Sequence, residues 1–122
     1  MLAVGIGGAL GANARYLAGR EVSDRWPGSF PWGTLIVNVS GCVALGVLIG
    51  WLATKGDRPI ARLSIATGFL GAYTTFSTFA YEAVRLIENA NWLKACVYCV
   101  ASFALCLTAA SAGLRFWKRR SR

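Results

Sequence analysis

The sequence predicts an all-α membrane protein with four transmembrane helices, the third of which is broken at the membrane midplane. Hydrophobic residues make up 56% of the 122 residues and charged residues 15%, whereas a soluble domain is about 25% charged. Since a membrane-spanning helix needs about 20 mostly apolar residues, long stretches without charge mark the crossings. Four stretches contain no Asp, Glu, Lys or Arg: 1–14, 26–54, 63–81 and 95–114. The chain therefore forms one transmembrane domain, 1–122.

The first helix is predicted over 2–19, which is long enough only if Arg15 lies inside it. Its guanidinium would then snorkel to the surface or face a polar interior. The following connection, 20–32, holds two prolines and several aromatic residues. Pro and Gly are expected to end helices there, and aromatic side chains suit the membrane interface.

The second helix is predicted over 33–53 and carries Asn38 at membrane depth. Polar groups are costly in hydrocarbon, so this side chain needs a partner. Two interpretations stay open. The amide either bonds to a neighbouring helix or lines a pore as a donor.

The third helix is predicted over 62–88, and its centre is rich in Gly and Thr, which both weaken a helix. A break near 71–75 would leave backbone carbonyls without helical partners, and such carbonyls suit a hard cation. The alternative is a continuous helix whose hydroxyl groups bond to the preceding turn. Towards the end of this segment, Glu82 is expected to lie near a mouth, as a vestibule or structural residue. Two interpretations stay open: an interfacial charge paired with Arg85, which we favour, or a role in permeation.

Phe76 and Phe79 are three residues apart and therefore share a helix face, beside Ser77 and Thr78. Two phenylalanines at this spacing usually pack in a core. On a polar membrane segment they also offer the positive edges of their rings to a small anion. A pore built this way needs no cationic side chain.

The fourth helix is predicted over 93–116. Tyr98, Ser102 and Cys106 follow each other at four-residue spacing, with Lys94 one turn earlier. This stripe could form a row of hydrogen-bonding groups. The four cysteines all fall in predicted helices, and the chain has no His. We therefore expect the cysteines to pack rather than to bind metal or carry out redox chemistry.

The basic residues divide almost evenly between the two membrane surfaces. Eight fall on one side and five on the other, and without 118–122 the count is four against five. The positive-inside rule therefore gives the body of the chain little preference for one orientation. This balance suits a chain that inserts both ways, or one paired with an inverted relative.

Three segments together resemble the Fluc-type fluoride channel family of CrcB-like membrane proteins: GGALGANARY, GTLIVNVSG and GFLGAYTTFSTF. The resemblance covers nearly the whole chain. It implies an antiparallel, dual-topology homodimer with two fluoride pathways. It also implies a structural Na⁺ at the dimer centre, held by the main-chain carbonyls of Gly71 and Thr74.

The resemblance also assigns positions along the fluoride pathway. Arg15 matches the arginine that ends the first helix, with a structural or vestibule role, and Cys106 replaces an expected hydroxyl residue. The implied pathway residues are Asn38, Phe76, Ser77, Thr78, Phe79, Tyr98 and Ser102.

The implied function is passive export of fluoride across the bacterial plasma (inner) membrane, relieving fluoride toxicity. No nucleophile or acid–base arrangement points to an enzyme, and the basic residues serve membrane surfaces rather than nucleic acid. One rival is a small dual-topology drug/proton antiporter. Its carboxylate, typically in the first helix, has no counterpart in 2–19. A membrane scaffold, the other rival, would not need Asn38 or the broken segment.

Overall fold

A computed structural model describes residues 1–56 and 58–120, in which every regular element is helical. Asp57 and Arg122, which enter the charge count, lie outside the described residues. The elements are α1 (Leu2–Arg25), α2 (Trp32–Lys55), α3 (Pro59–Ala61), a π-helix (Arg62–Leu70), α4 (Gly71–Tyr73), α5 (Phe76–Glu88) and α6 (Trp92–Arg120). We refer to the run from α3 to α5, residues 59–88, as the third segment.

Helix α1 is longer than the sequence predicted, because the start of the expected 20–32 connection is helical. Two ion pairs at four-residue spacing support this extra turn and a half. Arg20 lies 3.7 Å from Asp24, and Glu21 lies 3.0 Å from Arg25. Such pairs stabilise a solvated helix end. The helix ends before Pro27, as the prolines in this connection predicted.

Helices α2 and α6 run in the same direction and pack along glycines. A Cβ added to Gly46 would lie 2.3 Å from the carbonyl oxygen of Ala110, and one added to Gly113 would lie 2.6 Å from that of Val43. Small residues at such positions let helix backbones approach closely in membranes. The glycines thereby fix the register of α6 against α2.

Helix α1 also packs against the π-helix through glycines that allow close backbone contact. A Cβ on Gly7 would lie 2.2 Å from the Ser64 carbonyl oxygen, and one on Gly11 would lie 2.1 Å from that of Phe69. The π-helical geometry of Arg62–Leu70 was not predicted. Such stretches are rare and frequently lie at functional sites.

The predicted break in the third segment is confirmed and lies at Thr74 and Thr75. Both residues have extended backbones, with φ −82° and ψ 156° at Thr74 and φ −148° and ψ 119° at Thr75. Helix α5 starts afresh at Phe76. The continuous-helix alternative is therefore wrong for this chain.

Two of the described helices, α2 and α6, are long and apolar enough to cross a membrane. Their surfaces carry large exposed apolar side chains, among them Leu93, Val97 and Val100 on α6. Crossing by α1 and by the third segment stays a prediction, as does the dimer.

Candidate functional site

The side chain of Asn38 in α2 forms hydrogen bonds with the backbone at the break in the third segment. Its side-chain amide Nδ2 donates to the Thr75 carbonyl oxygen at 3.0 Å, and its Oδ1 accepts from the Thr75 backbone N–H at 2.8 Å. Thr75 is 8% exposed, so these backbone groups have little access to other partners. Asn38 thus makes the bond to a neighbouring element that one interpretation expected. It also lines a cavity, and its role as a donor in a pore stays a prediction.

The Thr75 side chain organises the start of α5. Its hydroxyl accepts from the Thr78 backbone N–H at 3.2 Å, which caps the helix, and donates to Thr78 Oγ1 at 3.0 Å. Ser77 Oγ lies 3.3 Å from the same hydroxyl. The predicted pathway residues Ser77 and Thr78 are therefore tied to Thr75, which sequence reasoning did not place in the site.

These bonds take donors away from two backbone carbonyls. In a continuous helix the Gly71 carbonyl accepts from the Thr75 N–H, and the Thr74 carbonyl accepts from the Thr78 N–H. Here the Thr75 N–H donates to Asn38, and the Thr78 N–H donates to the Thr75 hydroxyl. Gly71 and Thr74 are the carbonyls that the sequence resemblance assigns to Na⁺.

A cavity of about 380 Å³ lies beside the break, between α2, α6 and the third segment. Gly41 lines it where α2 meets the break, and a Cβ on Gly41 would lie 2.3 Å from the Thr74 methyl carbon. The cavity brings together six of the predicted site residues: Asn38, Gly71, Thr74, Phe76, Phe79 and Ser102. Residues from distant parts of the sequence thus line one volume.

The two phenylalanines of this cavity differ in environment. Phe79 is 7% exposed, whereas Phe76 is 71% exposed, and their ring centroids are 5.5 Å apart. The Phe79 ring packs against Tyr98 at 5.1 Å and edge-on against Phe103 at 5.8 Å. Phe79 is therefore a core residue as well as part of the cavity wall, while Phe76 is free of such packing.

Ser102 is the unsatisfied polar group of the cavity. It is 8% exposed, and its Oγ has no hydrogen-bond partner among the described residues. A buried hydroxyl without a partner is costly, by about 1–3 kcal/mol. A ligand that accepts hydrogen bonds would satisfy this donor.

Glu82 is held by hydroxyl groups from two other helices. The Thr34 hydroxyl donates to Glu82 Oε1 at 2.9 Å, and the Tyr98 hydroxyl donates to Glu82 Oε2 at 2.7 Å. The predicted pairing of Glu82 with Arg85 is wrong, because Arg85 lies 3.7 Å from Glu88 instead. Helix α5 turns the half-buried Glu82 towards α2 and α6 and leaves Arg85 on its exposed side.

A second cavity, of about 330 Å³, lies on the other side of the break and contains Arg15, Thr34, Thr78 and Glu82. Thr75 lines both cavities. Most of the predicted site residues thus fall into two groups that meet at Thr75. Neither cavity is lined by Tyr98 or Ser77.

The residues predicted to form a row on the fourth helix, now part of α6, also lie in different environments. Ser102 and Cys106 line the first cavity, Tyr98 is fully buried beside Glu82, and Lys94 bonds to the Ser29 hydroxyl. The stripe is therefore not one continuous row of free hydrogen-bonding groups.

A known protein family, described as "CrcB-like protein, Camphor Resistance (CrcB)", matches residues 2–114. The chain belongs to the CrcB-like family. A relative from Rhizobium meliloti (strain 1021), named "Fluoride-specific ion channel FluC", is 44% identical over 115 residues, covering 93% of this chain and 92% of the relative. "Fluoride-specific ion channel FluC 1" of Geobacillus kaustophilus (strain HTA426) is 48% identical and covers 84% of each chain. A Campylobacter jejuni relative (subsp. jejuni serotype O:23/36, strain 81-176), also named "Fluoride-specific ion channel FluC", is 41% identical and covers 97% of each.

Membership of the CrcB-like family agrees with the apolar helices α2 and α6, and the chain is an integral membrane protein. These relatives are named ion channels, which are not a class of enzyme. Within 1–56 and 58–120, no three His, Cys, Asp or Glu side chains are grouped to hold a metal.

Sequence reasoning missed two residues of the site, Thr34 and Thr75. Thr34 lies one helical turn before Asn38 in α2, so the two share a face, and this spacing could have revealed it. Thr75 stands in the Gly- and Thr-rich segment, where several hydroxyl residues looked equivalent. Only the position of the break distinguishes it.

Proposed function

We propose that this chain is a subunit of a fluoride-selective channel that lets fluoride leave the cytoplasm passively and so relieves its toxicity. The observation that carries the proposal is the cavity beside the break, where the buried Ser102 hydroxyl has no other partner. The names of the relatives support fluoride as the ion. Rapid, selective fluoride flux is the property to test.

The chemistry of the cavity fits a small, strongly hydrated anion. A selective pore must replace the ion's water shell with donors. The Ser102 hydroxyl and the second N–H of the Asn38 amide are donors, and the edges of Phe76 and Phe79 carry partial positive charge. The polar lining of the cavity contains no carboxylate, which would repel an anion. In this proposal fluoride passes through the first cavity from donor to ring edge, along side chains that carry no full charge.

The second cavity extends the proposed pathway to the membrane surface. The Arg15 side chain there would raise the local concentration of anions. Glu82 has both carboxylate oxygens occupied by hydroxyl donors from Thr34 and Tyr98. In this proposal these bonds restrain the carboxylate, and Thr75 is the junction between the two cavities.

The proposal includes a structural Na⁺ bound by the Gly71 and Thr74 carbonyl oxygens. Both carbonyls lose their ordinary helical donors to Asn38 and Thr75, so they fit a hard cation. When bound, the ion would supply positive charge that holds the broken backbone in place. Asn38 and the Thr75 hydroxyl keep the carbonyls available by binding the competing N–H groups.

The proposal also includes an antiparallel, dual-topology homodimer in the bacterial inner membrane. The balance of basic residues supports insertion in both orientations. The exposed Phe76 supports a partner too, because one wall of its cavity is open in the single chain. An inverted copy would close that wall and meet the surrounding lipid with its own apolar faces.

The deciding experiment is efflux from liposomes loaded with fluoride or with chloride, read with ion-selective electrodes. We expect the purified protein to release fluoride rapidly and chloride barely, without any requirement for a proton gradient. Empty liposomes and the Phe76→Ile variant are the matched controls. Equal rates for the two anions would refute a fluoride-selective channel, and flux only under an imposed proton gradient would favour the antiporter.

A further inference from the structure

Two cysteines that are 64 positions apart meet in the first cavity. Cys42 of α2 and Cys106 of α6 both line it, on two helices whose backbones are in close contact. The other two cysteines lie elsewhere. Cys96 is exposed and Cys99 packs against the buried cluster around Tyr98. Cys96 and Cys99 are the closest pair of cysteines along the sequence, whereas the fold brings Cys42 and Cys106 to one cavity.

The helix packing holds this thiol pair in register. Gly46 lies one turn beyond Cys42, and Ala110 lies one turn beyond Cys106. Gly46 and Ala110 touch so closely that a Cβ on the glycine would lie 2.3 Å from the Ala110 carbonyl oxygen. One turn in the other direction lie Asn38 and Ser102, which line the same cavity. The two thiols are therefore fixed between a tight backbone contact and the polar groups of the site.

We propose that Cys42 and Cys106 form a two-coordinate site for a soft, thiophilic metal ion, with Hg²⁺ as the defining probe. Thiolate sulfur is a soft ligand and favours such ions over hard ones. Both thiols lose their protons on binding: Hg²⁺ + 2 RSH gives RS–Hg–SR + 2 H⁺. The product is neutral, so it avoids the cost of burying a charge in an apolar cavity.

The site lies where a bound metal would obstruct the cavity. Ser102 is one helical turn from Cys106, about 5–6 Å along the axis, and its unpaired hydroxyl faces the same volume of about 380 Å³. A metal bridging α2 and α6 at this level also restrains both walls. This consequence for flux rests on the proposed function, whereas metal binding itself does not.

The binding test uses the full chain carrying Cys96→Ser and Cys99→Ser, which leaves only the thiol pair. Hg²⁺ is titrated while thiolate-to-metal ultraviolet absorption and proton release are recorded. We expect one Hg²⁺ per chain and two protons released per metal bound. Adding Cys42→Ser or Cys106→Ser should weaken binding by about 100-fold or more, because the second thiol binds intramolecularly. If the chain that keeps both Cys42 and Cys106 binds Hg²⁺ no more tightly than the chains that keep only one of them, the proposal is wrong.

The flux test compares each variant with its own metal-free fluoride efflux. We expect Hg²⁺ to abolish efflux in the variant that retains the thiol pair, and a dithiol chelator to restore it. The matched control is Cys42→Ser with Cys106→Ser, which keeps Cys96 and Cys99 and should lose no flux in Hg²⁺. If Hg²⁺ binds tightly and fluoride efflux is undiminished, the claim that the bound metal obstructs the pathway is wrong. Absence of fluoride efflux before metal is added would refute the proposed function, and the binding titration would still decide the metal site.

Discussion

Replacing Asn38 by Leu tests whether one side chain sustains the break in the third segment. The two side chains are similar in size, so the change removes hydrogen bonds without opening a large cavity. Asn38 makes two bonds to the backbone of Thr75, at 3.0 Å and 2.8 Å. The substitution therefore leaves one buried N–H and one buried carbonyl without partners.

The expected loss follows from the burial of Thr75, which is 8% exposed. Each unsatisfied buried group costs about 1–3 kcal/mol, so the free energy of unfolding should fall by about 2–6 kcal/mol. Ordinary side-chain hydrogen bonds between membrane helices contribute only about 0.6 kcal/mol on average, or about 1 kcal/mol for two. These two expected losses in unfolding free energy differ enough to distinguish a side chain that satisfies buried backbone groups from an ordinary hydrogen bond between helices.

The measurement is unfolding in mixed detergent micelles, followed by circular dichroism. Asn13→Leu is the matched control, because the exposed Asn13 amide bonds to the Ala9 carbonyl of its own helix at 2.8 Å. That carbonyl keeps its helical donor, so the control should change stability by less than about 0.5 kcal/mol. A loss below about 1 kcal/mol for Asn38→Leu, or an equal loss in both variants, would refute this account of the break.

Four further predictions concern the site, its packing and the proposed structural ion. Phe76→Ile should slow fluoride efflux by about 2- to 13-fold at unchanged stability, if an anion at the ring edge is held as strongly as the edge of a second aromatic ring, about 0.5–1.5 kcal/mol. Phe79→Ile should lower both efflux and the unfolding free energy, and unchanged efflux in both variants would remove the ring edges from the mechanism. Gly46→Ala should destabilise the chain by about 1–3 kcal/mol because its Cβ would meet the Ala110 carbonyl oxygen at 2.3 Å; Gly5→Ala, with nothing within 4 Å, is the neutral control. Replacing all Na⁺ by a large organic cation should abolish fluoride efflux, and full efflux in carefully Na⁺-free liposomes would exclude the structural ion.

The position of the break could be predicted because its cause is local. Gly and Thr lower helix propensity within a few residues, and the structure places the extended residues at Thr74 and Thr75, inside the expected 71–75. The extension of α1 to Arg25 was missed although its cause is also local. The ion pairs at four-residue spacing compete with the turn signals of Pro27 and Gly28, and the prediction gave the turn signals too much weight.

The partner of Glu82 could not be predicted, because it depends on which way α5 faces. Along the sequence the nearest cation is Arg85, and a pairing at this spacing is reasonable on an isolated helix. In the fold, Thr34 and Tyr98 reach Glu82 from two other helices. The meeting of Cys42 and Cys106 has the same origin, since helix register is set by the backbone contacts of Gly46 and Gly113.

The sequence by itself determined that this protein belongs in a membrane, that its chain is helical, and that the third segment breaks in its middle. Those properties depend on composition and on interactions within a few residues. Only the tertiary structure decided that Asn38 secures the break, that Thr75 joins two cavities, and that Ser102 is left with an unpaired donor. These facts depend on contacts between residues far apart in the chain, whose register no local pattern encodes.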